Sequence, residues 1–262
     1  MNVDFNFHGH TARCMHAFGK DEDYVKAAID AGFEEIGFSD HSPWPFKNGY
    51  VSSMRMGADE LENYALSVML LREKYKDRIK IRLGLECEYF EEYLPWLCAA
   101  CERYGIEYLL LGNHFTPDEE HGIYNGRIKT PIQLEAYKNH VLRALDSGLF
   151  LYVAHPDIFM RTYGEFDSYC ADASRKIIEK AIETGTPLEY NLLGFEHCVN
   201  DGMKEGYPHS GFWKIAGAMG ASAVIGLDAH EPQAYTKKKE LFEKAKLALS
   251  DYGVKLVYPF ER

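Results

Sequence analysis

The sequence predicts an α/β fold, a parallel sheet closed into a barrel, and three observations predict it. Short apolar runs alternate with longer amphipathic runs along the 262 residues. Seven or eight such β-then-α units follow one another with short connections. Six of the strands run directly into His, Asp or Glu at their C-terminal ends, where the βα loops of parallel barrels converge. Periodicity alone leaves an open doubly wound sheet as the alternative.

Val3–Phe7 reads as the first strand. Asp21–Ala31 reads as a helix, with Tyr24, Val25, Ala28 and Ile29 on one face and Gly32 as its stop. Glu35–Ser39 is a short strand, Ala58–Tyr75 a long helix, Ile79–Glu86 a strand and Leu94–Tyr104 a helix. Tyr108–Gly112 is a strand, and Pro131–Ser147 a helix opened by its proline. The second half repeats the pattern. Strands are expected at Leu149–Ala154, Pro187–Asn191, Ser222–Gly226 and Val254–Val257. Helices are expected at Tyr169–Thr184, His209–Met219 and Gln233–Asp251. No repeat accompanies the alternation, so a solenoid is not expected.

Composition narrows the function. Hydrophobic residues make up 46% and charged residues 26%, enough to bury a core. The net charge of −11 disfavours nucleic acid and anionic membrane, which want basic surface. No apolar run approaches the roughly 20 residues that span a bilayer. Met1–His10 has no apolar signal-peptide core. Six scattered cysteines suggest no disulfide framework. The expectation is a cytoplasmic protein with one domain over residues 1–262, since no linker divides it.

Seven of the 11 histidines follow predicted strands: His8, His10, His16, His41, His114, His155 and His230. Glu86, Asp228 and Asp40 share those strand ends. Gathered on one face, so many imidazoles and carboxylates would suffer desolvation and mutual repulsion unless cations held them. Imidazole nitrogens and carboxylate oxygens are ligands for Zn, Fe and Mn, so a multinuclear metal site is expected. His8 and His10, two apart on a strand end, point to the same side.

The assembled set is more specific than any member. It comprises His8-Gly9-His10, His16, Ser39-Asp40-His41, Gly84-Leu85-Glu86, Gly112-Asn113-His114, Ala154-His155-Pro156 and Asp228-Ala229-His230. It resembles the PHP superfamily of metal-dependent phosphoesterases over Asp4 to about His230. Within that superfamily it is most similar to the stand-alone histidinol-phosphate phosphatase branch. The cues are Phe38-Ser39-Asp40-His41-Ser42-Pro43, Glu86-Cys87-Glu88-Tyr89, His155-Pro156-Asp157-Ile158-Phe159, Glu189-Tyr190-Asn191 and Tyr207-Pro208. The resemblance implies a distorted (β/α)7 TIM-like barrel with three divalent transition-metal ions, Zn, Fe or Mn, at the strand C-termini. By that resemblance, His8, His10, Glu86 and Asp228 hold the first ion. Glu86 bridges to a second, completed by His114 and His155, while His16, His41 and His230 hold the third. Glu88 is the local rival of Glu86.

The expected activity is phosphomonoester hydrolysis by a metal-bridging hydroxide, with L-histidinol phosphate as the leading substrate. A nucleotide, sugar phosphate or phosphodiester is the alternative substrate, and a non-catalytic metal-binding module the alternative of another class. Glu86, Asp228, His16 and Asp40 are the expected catalytic residues, the last two, beside a metal-bound water, as candidates to protonate the leaving alkoxide. Arg161, six residues after His155, is the leading phosphate contact, because guanidinium matches phosphate oxygens at two points. Arg13 is a second basic candidate. The related phosphatases tend to follow Asn-x-x-Gly with an arginine, but here Phe195 and Glu196 follow Asn191-Leu192-Leu193-Gly194. Glu196 is therefore a candidate to face a substrate ammonium, and the departure equally suits a different substrate. Cys98 and Cys101 read as ordinary helix cysteines, Cys14 as a non-ligand, and Lys237-Lys238-Lys239 as a solvated helix start. Trp44, Phe46, Tyr50, Tyr89 and Phe115 read mostly as packing, with one or two lining a pocket.

Overall fold

The computed structural model describes residues 4–47, 49–200 and 205–261, without the side chains of 198–200. Val3, expected to open the first strand, lies outside the described residues. The elements in chain order begin with β1 (Phe5–Asn6), α1 (Asp21–Asp30), β2 (Glu35–Phe38), α2 (Leu61–Tyr75), β3 (Lys80–Cys87), α3 (Leu94–Tyr104) and β4 (Tyr108–Leu111). A hairpin of β5 (Phe115–Thr116) and β6 (Ile123–Tyr124) follows, then α4 (Pro131–Asp146), β7 (Tyr152–Val153), α5 (Ser168–Thr184) and β8 (Leu188–Asn191). The chain ends with α6 (Leu192–Asn200), α7 (Ser210–Met219), β9 (Ser222–Gly226), α8 (Ala234–Lys237), α9 (Lys239–Tyr252) and β10 (Lys255–Leu256).

Contacts divide the chain into two compact units, one of residues 1–110 and 227–240, the other of 111–226 and 241–262. In the first, strands lie in the order β1-β2-β3-β4. The β1–β2 and β2–β3 pairs are parallel, with Phe5 opposite Glu35 and Phe38 opposite Leu83. The 227–230 segment joins β1 through a parallel bridge between Gly9 and Ala229. In the second unit the order is β7-β8-β9-β10, again with parallel pairs. All eight expected strands form, each followed by the helix or loop that the alternation predicts.

Local chemistry explains the helix ends. Asp21, Glu22 and Asp23 crowd the first turn of α1, where carboxylates favour the positive end of the helix dipole. Thr130 accepts from the Gln133 N–H and Gln133 reaches back to Thr130, a capping box that starts α4 at Pro131. The inner face of α2 buries Leu61, Tyr64, Ala65, Val68 and Leu71, an i, i+3, i+4, i+7 stripe. The expected Gln233–Asp251 helix is instead two helices, α8 and α9, broken at Lys238.

The first unit is organised around Tyr108, at the start of β4. Its hydroxyl lies 2.8 Å from the Phe7 carbonyl and 3.2 Å from that of Phe38, reaching the ends of two other strands. The ring occupies the space that a side chain at Gly84 would need, because a Cβ there would lie 2.3 Å from Tyr108 Cζ. Gly84→Ala is therefore expected to destabilise the protein by roughly 1–3 kcal/mol, the usual cost of overpacking. Urea unfolding checks this, and an unchanged midpoint would show that the ring yields freely.

No helix among the described residues is long and apolar enough to cross a membrane. No disulfide forms among the described cysteines, Cys14, Cys87, Cys98, Cys101 and Cys170.

Candidate metal centre

In the first unit, two tripeptides face each other across one ladder. The His10 N–H donates to the Ala229 carbonyl at 2.9 Å, and the Ala229 N–H to the His8 carbonyl at 3.2 Å. Alternation along extended backbone then sends His8 and His10 to one side of Gly9, while Asp228, with a left-handed φ of 48°, and His230 flank Ala229 on the facing segment. Asn6 fastens the two segments together. Its Oδ1 accepts from the Leu227 N–H at 2.9 Å, and its Nδ2 donates to the His8 carbonyl at 3.0 Å. A parallel bridge between His41 and Glu86 brings the ends of β2 and β3 to the same place.

The side chains converge on two carboxylate oxygens. His8 Nε2 lies 3.3 Å from Glu86 Oε2 and 3.4 Å from Asp228 Oδ1. His10 Nε2 lies 3.0 Å from Asp228 Oδ1 and 3.5 Å from Glu86 Oε2. His41 Nδ1 lies 3.1 Å from Glu86 Oε2. Among the described residues of this unit, ligand atoms lie within 4.8 Å of one another in four groups: His8, His10 and Asp228; His10, His41 and Glu86; His16, His41 and His230; and His10, Cys14 and His230. His8, His10, His41, Glu86 and Asp228 are all buried. The spacing and the mixed nitrogen and oxygen donors fit transition-metal ions.

Electrostatics show the strain of holding these groups together. Burial pulls the His10 pKa down, but bonds to Asp228 and Asp40 outweigh it and raise it to about 9. Burial pushes the Asp228 carboxyl up, yet His8 and His10 take it well below the usual range. Burial and the neighbouring His10 hold His230 well below the ordinary histidine value. A carboxylate cluster that draws protons onto an imidazole is one that a metal cation would neutralise. Among the described residues, four non-glycine residues have left-handed φ: Met15, Asn113, His155 and Asp228. Each is, or directly adjoins, a candidate ligand. Such strain costs about 1–3 kcal/mol per residue and concentrates at functional sites.

Asp40 sits behind His10. Its Oδ1 lies 3.4 Å from His10 Nδ1, its Oδ2 accepts from the Thr11 N–H at 3.2 Å, and it also accepts from the Thr11 hydroxyl. Fully buried and so engaged, it orients His10 and is not placed to protonate a leaving group. This corrects the proton-donor reading of Asp40. His16 and His230 turn Nδ1 towards backbone carbonyls, those of Cys14 at 2.7 Å and Asp228 at 3.1 Å, which leaves Nε2 to ligate. Asp40→Asn is expected to weaken metal affinity by roughly 10–100-fold, the usual cost of losing a ligand's orienting partner. Chelator competition measures it, and an affinity within about twofold of the parent would deny Asp40 that role.

Other expectations change. Glu88 is buried against Arg55, with Oε1 3.2 Å from Nη2, so the rival carboxylate has its own structural partner. Arg13 holds Asp21 at 2.9 Å and Asn63 at 2.9 Å, a tie between α1 and α2, which corrects its reading as a phosphate contact. Lys238, read as solvated, is 4% exposed and donates to the Leu227 carbonyl at 3.0 Å. Cys14 Sγ lies within 4.8 Å of His10 and His230 ligand atoms. Burial and Asp40 raise its pKa, which keeps the thiol protonated.

In the second unit, the His114 and His155 rings are 4.8 Å apart. The His155 N–H donates to Glu189 Oε2 at 3.0 Å, and Glu189 also accepts from Asn191 Nδ2. Tyr124 stacks over His114 at 6.3 Å and 5°. Arg161, in the short 3-10 helix after His155, donates to the Tyr124 hydroxyl at 3.4 Å, so it stands on the same side as both histidines. Asp157 accepts from the His209 N–H, and burial raises its pKa to about 7. Glu196 is half-buried on α6, and Phe195 lines a groove with Leu241 and Ala245 of α9. Tyr124 was missed because its hairpin is only two residues deep on each side. Asn6 and Thr11 were missed because only their tertiary partners reveal their roles.

Comparison with known proteins agrees with this geometry. The family model described as PHP domain matches residues 6–192. The chain is 27% identical over 231 residues to a Deinococcus radiodurans protein named "Probable histidinol-phosphatase", covering 86% of this chain and 85% of that protein. It is 23% identical over 250 residues to the Bacillus subtilis histidinol-phosphatase, covering 86% and 92%. A crystal structure of histidinol phosphate phosphatase from Lactococcus lactis, complexed with Zn, L-histidinol and phosphate, superposes with a TM-score of 0.72. That match is 18% identical and covers 97% of this chain and 95% of the other. This likeness shows the fold, and the expected distorted TIM-like α/β barrel is borne out.

Proposed function

The chain belongs to the PHP domain family, and from that premise we propose that it is a metal-dependent phosphomonoesterase hydrolysing L-histidinol phosphate to L-histidinol and phosphate. The observation that carries the proposal is the convergence of His8, His10 and His41 nitrogens at 3.0–3.5 Å from a Glu86 or Asp228 carboxylate oxygen at the strand ends. The names of the curated relatives and the ligands of the Lactococcus structure support the substrate. We also treat residues 1–262 as one PHP-type domain, since the family match runs through both units.

In this reading His8, His10, Glu86 and Asp228 hold one ion, and His16, His41 and His230 another. His114 and His155 offer two further imidazoles, and zinc is the metal that the Lactococcus structure favours. Such ions, when bound, polarise phosphoryl oxygens and acidify water enough to supply hydroxide near neutral pH. The protein's own groups do the rest. Asp40 fixes the His10 ring, and Asn6 holds the His8 and Asp228 segments in register. His16, the most exposed of the ligand histidines, would turn Nε2 to an ion with Nδ1 held at the Cys14 carbonyl, so it would serve as a ligand and not as the proton donor to the leaving alkoxide.

Arg161 would grip the phosphate. Arg161→Ala is expected to raise KM for a phosphate monoester about tenfold or more, the loss of one charge-assisted bond, with metal content unchanged. Wild-type KM and kcat would make Arg161 a loop residue only.

A phosphatase panel on metal-reconstituted protein tests the function, with histidinol phosphate beside nucleotides and sugar phosphates. Histidinol phosphate is expected to give the highest kcat/KM. The Phe195-Glu196 departure favours the second reading, another phosphate monoester. A preference of about tenfold or more for a nucleotide or sugar phosphate, some 1.4 kcal/mol, would establish that one.

A further inference from the structure

In the second unit the ladder between β7 and β8 breaks at His155, and a side chain replaces the main chain as its acceptor. The Val153 N–H donates to the Pro187 carbonyl at 3.0 Å. A regular parallel ladder advances two residues on each strand, so the His155 N–H would next meet the Glu189 carbonyl. It goes instead to the Glu189 side chain, with Oε2 3.0 Å away. The chain turns at the same point, where His155 takes a left-handed φ of 31°.

We propose that Glu189 is the positioning residue for His155: its carboxylate holds the turn that aims the imidazole at an ion. The inference rests on the reading of His155 as a metal ligand and deepens it.

The peptide plane is rigid, so rotation about N–Cα is what moves the His155 Cβ relative to its N–H. A held N–H at a given φ therefore fixes the direction in which the ring leaves the chain. Left-handed backbone is unfavourable for a residue with a Cβ and persists only where its surroundings over-determine it. A carboxylate acceptor suits that task, because a charge-assisted hydrogen bond is roughly twice as strong as a neutral one. Held in this way, the ring stands 4.8 Å from the ring of His114, the other imidazole of the same expected ion.

The carboxylate is itself fixed. Glu189 and Asn191, two apart on β8, project to the same side, and both are buried. Asn191 Nδ2 donates to Glu189 Oε2 at 2.9 Å, while Asn191 Oδ1 accepts from the Gly194 N–H at 2.9 Å. Across the ladder Gly226 of β9 lies opposite Asn191, and a Cβ there would overlap Glu189 Oε1. Glycine at 226 thus leaves the space that the carboxylate fills. Burying a carboxylate is costly where a main-chain carbonyl would have satisfied the N–H. Positioning His155 is the use that this arrangement serves.

Chelator competition with zinc on the full chain tests this through a double-mutant cycle. Glu189→Gln keeps the volume and removes the charge. It is expected to weaken binding of one zinc equivalent by roughly 10–100-fold, the usual cost of losing a ligand's orienting partner, and to leave the others unchanged. Gly226→Ala, which displaces the carboxylate without altering it, is expected to weaken the same equivalent. In a His155→Ala background, Glu189→Gln is expected to change the affinity of the remaining zinc by less than about twofold, because the ring through which Glu189 acts is gone. Equal losses in both backgrounds would make Glu189 a general support of the fold. Parental affinity in Glu189→Gln would show that the turn holds without the charge. Either result overturns the proposal while the metal centre stands. If Gly226→Ala fails to fold, the Glu189→Gln cycle decides alone. Parent protein that binds fewer than about one zinc would sink the metal reading, and this inference with it.

Discussion

Glu86→Ala is expected to strip metal from the protein and abolish nearly all turnover. Glu86 Oε2 lies 3.1 Å from His41 Nδ1, 3.3 Å from His8 Nε2 and 3.5 Å from His10 Nε2. It therefore stands between donors assigned to different ions, and losing it removes charge from both. The fall in metal affinity should exceed the roughly 100-fold that loss of an outer orienting partner costs. Metal content and kcat, measured on the same preparation, check this. Full metal occupancy in the variant would show that Glu86 is not a ligand.

Glu88→Ala, two residues on, is expected to fail differently. Glu88 and Arg55 are both buried, at 0% and 1% side-chain exposure. Removing the carboxylate leaves a buried guanidinium without its counter-charge, which costs about 3–5 kcal/mol. The expected reading is a Tm lower by on the order of 10 °C, with metal equivalents retained. A double change to Arg55→Met and Glu88→Leu should recover most of the loss, because replacing both partners of a buried pair is often neutral. A Glu88→Ala protein of parental Tm that had lost its metal would exchange the roles of the two glutamates.

The contrast between these neighbours shows what was legible in the sequence. Strands and helices were readable because their periodicity is local. The stripe of α2 and the apolar run of β3 each declare themselves within one segment. The candidate ligands were readable because strand ends collect them: His8 and His10 on β1's exit, His41 on β2's, Glu86 on β3's. Choice of partner was not readable. Nothing near Arg13 in sequence says that Asp21 and Asn63 hold its guanidinium. Nothing near Lys238 says that it turns inward to the Leu227 carbonyl. Asp40 shows the limit most clearly. Its position beside His41 marked it as a site residue, but only the fold reveals that both its oxygens are taken by His10 and Thr11.

The central claim is that these side chains exist to hold metal, and elemental analysis of protein purified without chelator tests it most directly. The geometry predicts about two to three transition-metal equivalents per chain, held through His and carboxylate donors. Fewer than about one equivalent, even after reconstitution with zinc, iron or manganese, would contradict it.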